Sequence, residues 1–199
     1  MAKFLTPESL SLISVIISVI ALSVSLLTAW FTIFHRGALR STRPSLIVFK
    51  YETGGTSQPL AKIFLRTLLF STGKRGRVIE SLFLRVRESG RFEEFSFWGH
   101  GDKDLVRGSG LFVGENGFVT NHHFTPIRNM HYQFVVGTYD LELVAKLMNR
   151  NHLVSLLRIV LDLPAGAFDP HLVSHDTAVW FNWSPEQKRY VASIERRDT

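Results

Sequence analysis

The chain has 199 residues, of which 45% are hydrophobic, so it has room for one membrane-spanning helix and one globular domain but not for two large domains. It contains no cysteine, which excludes disulfide bonds and thiolate catalysis and leaves only His and carboxylate side chains for a zinc site. The net charge of +6 is compatible with nucleic acid, anionic lipid or solubility beside a membrane, and its distribution decides between these.

The first predicted element is a transmembrane helix over residues 9–35, after a short tail of residues 1–8. The run from Ser9 to Phe34 has no charged residue, and as a helix it is about 39 Å long, enough to span a hydrocarbon core of about 30 Å. Trp30, Phe31 and Phe34 suit the headgroup interface at its end. A cleavable signal peptide has an apolar region of only about 7–15 residues, so we expect the helix to be retained.

Small residues recur along this helix at alternating spacings of three and four. The stripe comprises Ser11, Ser14, Ser18, Ala21, Ser25, Thr28 and Thr32. A period of about 3.5 keeps it on one helix face, where small and hydroxyl side chains allow close helix packing. The stripe predicts self-association or packing on a partner helix. Alternatively, the hydroxyls bond to carbonyls four residues earlier, which requires no partner.

Positive charge is concentrated on one side of the helix. Lys3 stands alone before it, whereas Arg36, Arg40 and Arg43 follow it within a predicted basic linker over residues 36–44. The positive-inside rule therefore predicts an outside N-terminus and a cytoplasmic C-terminal domain, in a plasma or inner membrane. The same arginines are expected to contact anionic lipid.

Residues 45–199 are predicted to form an all-β domain, because short runs rich in Phe and Val alternate with Gly, Asn, Asp and Pro. An immunoglobulin-like two-sheet sandwich is the first expectation and a partly open barrel is the alternative. Strands are expected over 45–52, 62–70, 78–87, 91–98, 110–113, 117–121, 132–146, 153–163 and 178–183. The tail then forms either a last hairpin or a short helix capped by Ser184.

Period-two alternation predicts two half-buried strands. One face of the first carries Val78, Glu80, Leu82, Leu84 and Val86, and one face of the second carries Leu153, Leu157, Ile159, Leu161 and Leu163. The stretch from Val136 to Leu143 resembles the Gly-x-Tyr-x-Leu-x-Val strand entry of immunoglobulin-like sandwiches. That resemblance implies fold only.

The segment from Gly108 to Phe124 resembles the strand, turn and strand that carry the catalytic histidine in trypsin-like serine proteases of the membrane-associated stress type. On that match His123 would be the general base. The chemistry also needs a nucleophilic Ser beside an oxyanion hole, and no Gly-x-Ser-Gly-Gly segment follows. The sequence therefore predicts a Gly-rich hairpin rather than a protease.

Two polar loops carry side chains that could bind a metal. The candidate ligands are His100, Asp102, His122, His123 and His131. Imidazole and carboxylate together suit zinc, manganese or iron, although no familiar metalloenzyme spacing is present. The alternative is that these are ordinary loop histidines.

A basic turn, defined here as residues 74–77, lies between two apolar strands. Lys74, Arg75 and Arg77 could bind the phosphate of lipid or nucleic acid. Nucleic-acid binding also needs exposed aromatic side chains, but we assign the aromatics of the neighbouring strands, Phe64, Phe70, Phe83 and Phe95, to the core. Anionic lipid is therefore the better functional alternative to a simple solvated turn, and nucleic acid is not expected as a partner.

The sequence has no phosphate-binding glycine loop, nucleophile motif or cofactor signature. It therefore predicts a non-enzymatic, membrane-anchored interaction or assembly module without a cofactor. Its partners would bind an edge strand or the loops over residues 100–109 and 122–131. The second hypothesis is a small metal-dependent hydrolase that uses the loop histidines. The third is an anionic-lipid or nucleic-acid binder that uses the basic turn.

Overall fold

The N-terminal element is the predicted apolar helix. The computed structural model describes residues 7–35, 37–53, 59–100, 105–107, 110–148, 150–168 and 177–196. Helix α1 spans Pro7–Ala29 and continues as a π-helical segment over Trp30–Phe34. By length and composition, Pro7–Phe34 is able to cross a membrane, a test that a signal sequence also meets. None of the α1 residues is buried, which fits a single-pass membrane protein.

The remaining described residues form an all-β domain, which confirms the predicted fold class. Its strands are β1 (Leu39–Ser41), β2 (Leu46–Thr53), β3 (Pro59–Ser71), β4 (Arg77–Glu88), β5 (Arg91–His100), β6 (Leu105–Arg107), β7 (Leu111–Val113), β8 (Phe118–Pro126), β9 (Gly137–Leu147), β10 (Leu153–Leu163), β11 (Thr177–Ser184) and β12 (Arg189–Arg196). They belong to one antiparallel sheet in the order β10-β9-β4-β5-β8-β3-β2-β11-β12, with β1 beside β3, β6 beside β5 and β7 beside β4.

The sheet curls into a half-barrel around a single apolar core. The ring of Phe49 on β2 lies 5.3 Å from that of Tyr139 on β9, although four strands separate β2 from β9 in the sheet. At the rim, the Ser41 hydroxyl on β1 donates to the Leu156 carbonyl on β10 at 3.0 Å. The fold thus corresponds to the partly open barrel, and its two halves face each other across the core as the layers of a sandwich do.

The end of the half-barrel away from α1 is closed by residues 127–136. The Tyr139 hydroxyl donates to the Val135 carbonyl at 2.7 Å and accepts from the Val135 N–H at 2.8 Å. The Tyr51 hydroxyl accepts from the Phe134 N–H at 2.8 Å. Tyr139 belongs to the segment that resembles an immunoglobulin-like strand entry, and its hydroxyl holds the preceding loop over the core through these two hydrogen bonds.

Bulges overturn part of the predicted alternation. A register shift between Ile79 and Ser81 adds one residue to β4, so Ile79 is fully buried whereas Val78 is 38% exposed. A second shift, between Ser155 and Leu157, leaves Leu153 41% exposed. A β-bulge inserts one residue, so the alternation of faces is reversed on one side of it. The predicted face of each strand was therefore wrong for the residues that precede its bulge in the sequence.

Other boundaries also differ from the prediction. The predicted linker contains β1, the segment 122–126 belongs to strand β8 rather than to a loop, and residues 132–136 precede β9 instead of starting it. Of the two alternatives predicted for the tail, the structure has the hairpin, formed by β11 and β12, and Ser184 Oγ accepts from the Gln187 N–H within its turn.

Candidate membrane-surface site

The β3–β4 turn, which contains the basic turn, lies against the residues that directly follow the apolar helix. The Ala38 N–H donates to Thr72 Oγ1 at 2.7 Å, and the Thr72 N–H donates to the Ala38 carbonyl at 2.9 Å. Gly37 has a φ of +61°, and a Cβ placed there would lie 2.3 Å from the Gly73 nitrogen. Three residues extend at most about 11 Å, so Gly37 and the turn that it touches stay close to Phe34 whatever the tilt of the helix.

Positive charge is exposed at this end of the half-barrel. Lys74 and Arg75 are exposed, and so is Arg40, which pairs with Phe70 across β1 and β3. Two exposed carboxylates, those of Glu80 and Glu115, lie in the adjoining segments. Unpaired ammonium and guanidinium groups beside a membrane helix are the groups that attract anionic headgroups.

Two of the six predicted lipid-contact residues, Arg77 and Arg43, contact other parts of the protein. Arg77 is half-buried and donates a hydrogen bond to the Gly37 carbonyl, so it joins the domain to the helix instead of facing solvent. The Arg43 guanidinium lies 4.0 Å above the ring of Trp183, a cation–π contact. Arg36 lies outside the described residues.

Two tight turns pack side by side at the end of the half-barrel that lies next to the helix. The Ser71 N–H donates to the Gly114 carbonyl at 3.0 Å, which joins the β3–β4 turn to the β7–β8 turn. Gly76 has a φ of +65°, and a Cβ there would lie 2.7 Å from Phe112 Cζ. The Phe112 ring therefore covers the backbone of the basic turn, and the turn is held in place by packing.

Three exposed apolar side chains, named here the apolar row, lie beside the basic turn. Phe112 pairs with Val78, and the Met148 N–H donates to the Val78 carbonyl at 3.0 Å, so the three residues stand next to one another on β7, β4 and the end of β9. Their exposed fractions are 64%, 38% and 56% for Phe112, Val78 and Met148. Sequence reasoning missed the row because the bulge at Glu80 is invisible in the hydrophobic pattern.

The structure does not bring the candidate metal ligands together. His122 is fully buried and points into the core, whereas His123 is on the other face of β8, where its ring lies 5.2 Å from that of Phe64. His131 is exposed in the loop at the opposite end from the helix. The side chain of His100 and the whole of Asp102 lie outside the described residues, and within the described part no three His, Asp or Glu side chains are grouped to hold a metal.

The aromatic residues of the neighbouring strands are also placed differently from the prediction. Phe95 is fully buried in the core. Phe64, Phe70 and Phe83 alternate with core residues and are half-buried on the outer face of the sheet. The prediction that all four fill the core was therefore wrong for three of them.

In the helix, several hydroxyls of the small-residue stripe bond within the helix. Ser18 donates to the Ser14 carbonyl at 2.9 Å, Ser25 to Ala21 at 2.9 Å and Thr28 to Val24 at 2.8 Å. These bonds satisfy the hydroxyl donors without a partner helix. Association through the stripe remains a prediction, and it would depend on the small size of these side chains.

Compared with known proteins, the chain matches no family model, no curated protein and no solved structure. The geometry of its own residues is therefore the basis for a functional proposal.

Proposed function

We propose that the protein is a single-pass membrane protein whose β domain binds anionic lipid headgroups through Lys74 and Arg75. The observation that carries this proposal is that hydrogen bonds from Arg77 to the Gly37 carbonyl and between Thr72 and Ala38 hold both sides of Lys74 and Arg75 close to the helix end. Held at the bilayer in this way, the domain serves as a non-enzymatic interaction or assembly module on the cytoplasmic side.

The expected strength of headgroup binding follows from the number of exposed cations. Each Lys or Arg near an anionic surface contributes about 1 kcal/mol, so loss of Lys74 and Arg75 should weaken binding about 30-fold. The attraction is screened by salt, because the side chains are exposed and the Debye length at physiological ionic strength is only about 8 Å.

The test uses the full chain in detergent micelles and a short-chain phosphatidylserine as the probe. A ligand that binds only the native state raises the unfolding midpoint, so wild type should show a shift that disappears in the Lys74→Ala/Arg75→Ala variant. Arg128→Ala/Arg196→Ala is the matched control, because it removes two exposed arginines at the opposite end of the domain. That control should keep the shift.

Two further probes identify the source of the phosphate. Short-chain phosphatidylcholine should give no shift, because its headgroup is zwitterionic. Inorganic phosphate at the same concentration should give none either, since it lacks the acyl chains that place the headgroup beside the turn. Equal shifts for phosphatidylserine in wild type and in the Lys74→Ala/Arg75→Ala variant would refute the proposal.

A second candidate function, binding of a partner protein, is favoured by strand β12. It pairs with β11 on one side, and within the described residues no strand pairs with its other side. Val191 and Ile194 on this edge strand are 41% and 40% exposed. An unpaired edge with apolar side chains can accept a strand from another chain.

The edge-strand proposal can be tested with photo-crosslinking side chains in native membranes. Placed at Val191 or Ile194, they should give a discrete adduct, whereas the same group at Val119, which is 54% exposed on β8, a strand paired with both β3 and β5, should not. Equal labelling at all three positions would indicate nonspecific contact and would contradict the proposal.

A further inference from the structure

We infer that the apolar row, Phe112, Val78 and Met148, inserts into the interfacial region of the membrane that holds the helix. This inference deepens the proposed function, because it assumes a retained helix and names the acyl–headgroup boundary as the second lipid contact. Insertion of the row would hold the domain in a defined orientation, which electrostatic attraction alone does not impose.

The apolar row is exposed to solvent along its whole length. Phe112 is 64% exposed although it belongs to a strand, and its neighbours across the sheet, Val78 and Met148, are exposed as well. Single exposed apolar residues are ordinary on protein surfaces, but adjacent ones on three neighbouring chain segments form a continuous patch, and such patches mark contact surfaces.

The apolar row is continuous with the basic turn. The Phe112 ring lies over Gly76, the residue directly after Lys74 and Arg75. Apolar side chains flanked by Lys and Arg are the combination by which peripheral segments bind at a membrane interface, where the rings and alkyl groups enter the acyl boundary and the cations meet headgroups.

The short distance between the apolar row and the end of the helix indicates that the membrane is what covers the row. Arg77, the neighbour of Val78 in the chain, is hydrogen-bonded to the Gly37 carbonyl, three residues after Phe34. The headgroup layer is about 5–8 Å thick on each side of the hydrocarbon core. A span of at most about 11 Å from Phe34 to Gly37 therefore lets the domain rest directly on this layer.

The row lies on one side of the half-barrel, along β7, β4 and β9, so its insertion would tilt the domain toward that side.

The experiment exploits the absence of cysteine from the chain. Full-length single-cysteine variants Phe112→Cys, Val78→Cys and Met148→Cys are spin-labelled in nanodiscs, and the accessibility of each label to oxygen and to a water-soluble relaxant is measured. Phe92→Cys is the matched control, because Phe92 is an aromatic residue that is 53% exposed at the opposite end of the domain. Labels on the row should lose accessibility to the water-soluble relaxant and gain accessibility to oxygen, relative to the label at position 92.

A second measurement places the label outside the apolar row, so that the row first keeps its native side chains and is then replaced. A label at Asn116→Cys, in the turn beside the basic turn, should be shielded from the water-soluble relaxant. The added changes Phe112→Ser, Val78→Ser and Met148→Ser should remove that shielding. Circular dichroism of the same samples checks that the β domain remains folded.

The outcomes separate this inference from the proposed function. If labels on the row are as accessible to the water-soluble relaxant as the control label, the insertion is overturned. The phosphatidylserine-induced shift of the unfolding midpoint would still test headgroup binding by Lys74 and Arg75 independently. Insertion in purely zwitterionic nanodiscs, together with an unchanged shift in the Lys74→Ala/Arg75→Ala variant, would refute headgroup binding and leave the insertion supported.

Discussion

At the residue scale, the ion pair of Glu52 with Lys62 has a consequence for stability. Lys62 is only 5% exposed although it lies on the outer face of β3, and its ammonium group bonds to the Glu52 carboxylate. Burial by itself raises the pKa of Glu52, but the hydrogen bond and charge of Lys62, together with Lys50, outweigh burial and hold this pKa below its usual value.

Glu52→Gln should therefore destabilise the domain by about 1–2 kcal/mol at neutral pH, because it leaves a nearly buried ammonium without its carboxylate. The value lies below the range of about 3–5 kcal/mol for fully buried pairs because the Glu52 side chain is 45% exposed and so partly screened. Chemical denaturation of the full chain in nanodiscs, followed by near-ultraviolet circular dichroism, measures the loss.

The pH dependence gives this prediction a second test. Because the folded-state pKa of Glu52 is lower than the unfolded-state pKa, its contribution is complete above about pH 5 and is lost as the pH falls through the folded-state value. The variant and wild type should therefore converge in acid. Glu94→Gln is the control: its partner Arg85 is 26% exposed, and this surface pair should cost at most about 0.5 kcal/mol. Equal losses in both variants would contradict the assigned role of Lys62 burial.

At the element scale, the bulge in β4 decides which side chains are structural. We expect Ile79→Ala to cost about 2–4 kcal/mol, because Ile79 is fully buried in the core. Val78→Ser should change the free energy of unfolding by less than about 0.5 kcal/mol, since Val78 is an exposed residue of the apolar row. A regular alternation that includes Val78 predicts the reverse order, so denaturation of the two variants distinguishes the two arrangements.

The same strand shows why part of the fold could be predicted and part could not. The all-β class follows from local turn residues and strand-length apolar runs, and the apolar helix follows from a run without charge. The bulge and the curled strand order depend on contacts between distant segments, such as Phe49 with Tyr139, which carry no local signal. Lys74 and Arg75 could be found from sequence, whereas the hydrogen bonds of the neighbouring Thr72 and Arg77 with Ala38 and Gly37 required the fold.

The helix carries the second prediction at the scale of elements. Replacing Ser14, Ser18 and Ser25 together by Leu or Ile should weaken helix association, because larger side chains keep neighbouring backbones apart. The bonds from Ser18 and Ser25 to carbonyls within the helix indicate that packing, more than interhelical hydrogen bonding, would stabilise the contact. A membrane two-hybrid or crosslinking assay measures the change.

The control replaces Val15 and Val19 by Leu or Ile and Leu26 by Ile, since these residues lie off the small-residue stripe. These changes should leave association as in wild type. If both sets behave alike, or if the wild-type helix neither self-associates nor binds another helix, the stripe reflects composition alone and the prediction is wrong.

At the scale of the whole molecule, two groups of cations lie close to the helix end for different reasons. Arg36, Arg40 and Arg43 follow the helix directly in sequence, whereas Lys74 and Arg75 reach the same place only because the folded domain brings the basic turn to Gly37–Ala38. Topology is set by Lys and Arg within about 15–20 residues of a helix end, whereas headgroup binding depends on the folded surface. The first group should therefore affect topology, and the second group should affect headgroup binding.

We predict that the C-terminal domain is cytoplasmic and that its topology depends on the first group only. Arg36→Glu/Arg40→Glu should raise the fraction of chains with the opposite topology, whereas Lys74→Ala/Arg75→Ala should leave topology unchanged while it weakens phosphatidylserine binding. Paired C-terminal fusions, one reporter active in the cytoplasm and one active only outside it, measure this fraction. Activity of the outside reporter in wild type would reverse the assigned topology. An effect of Lys74→Ala/Arg75→Ala on topology as large as that of Arg36→Glu/Arg40→Glu would show that the basic turn acts during insertion, before the domain folds, and not as a lipid site of the folded protein.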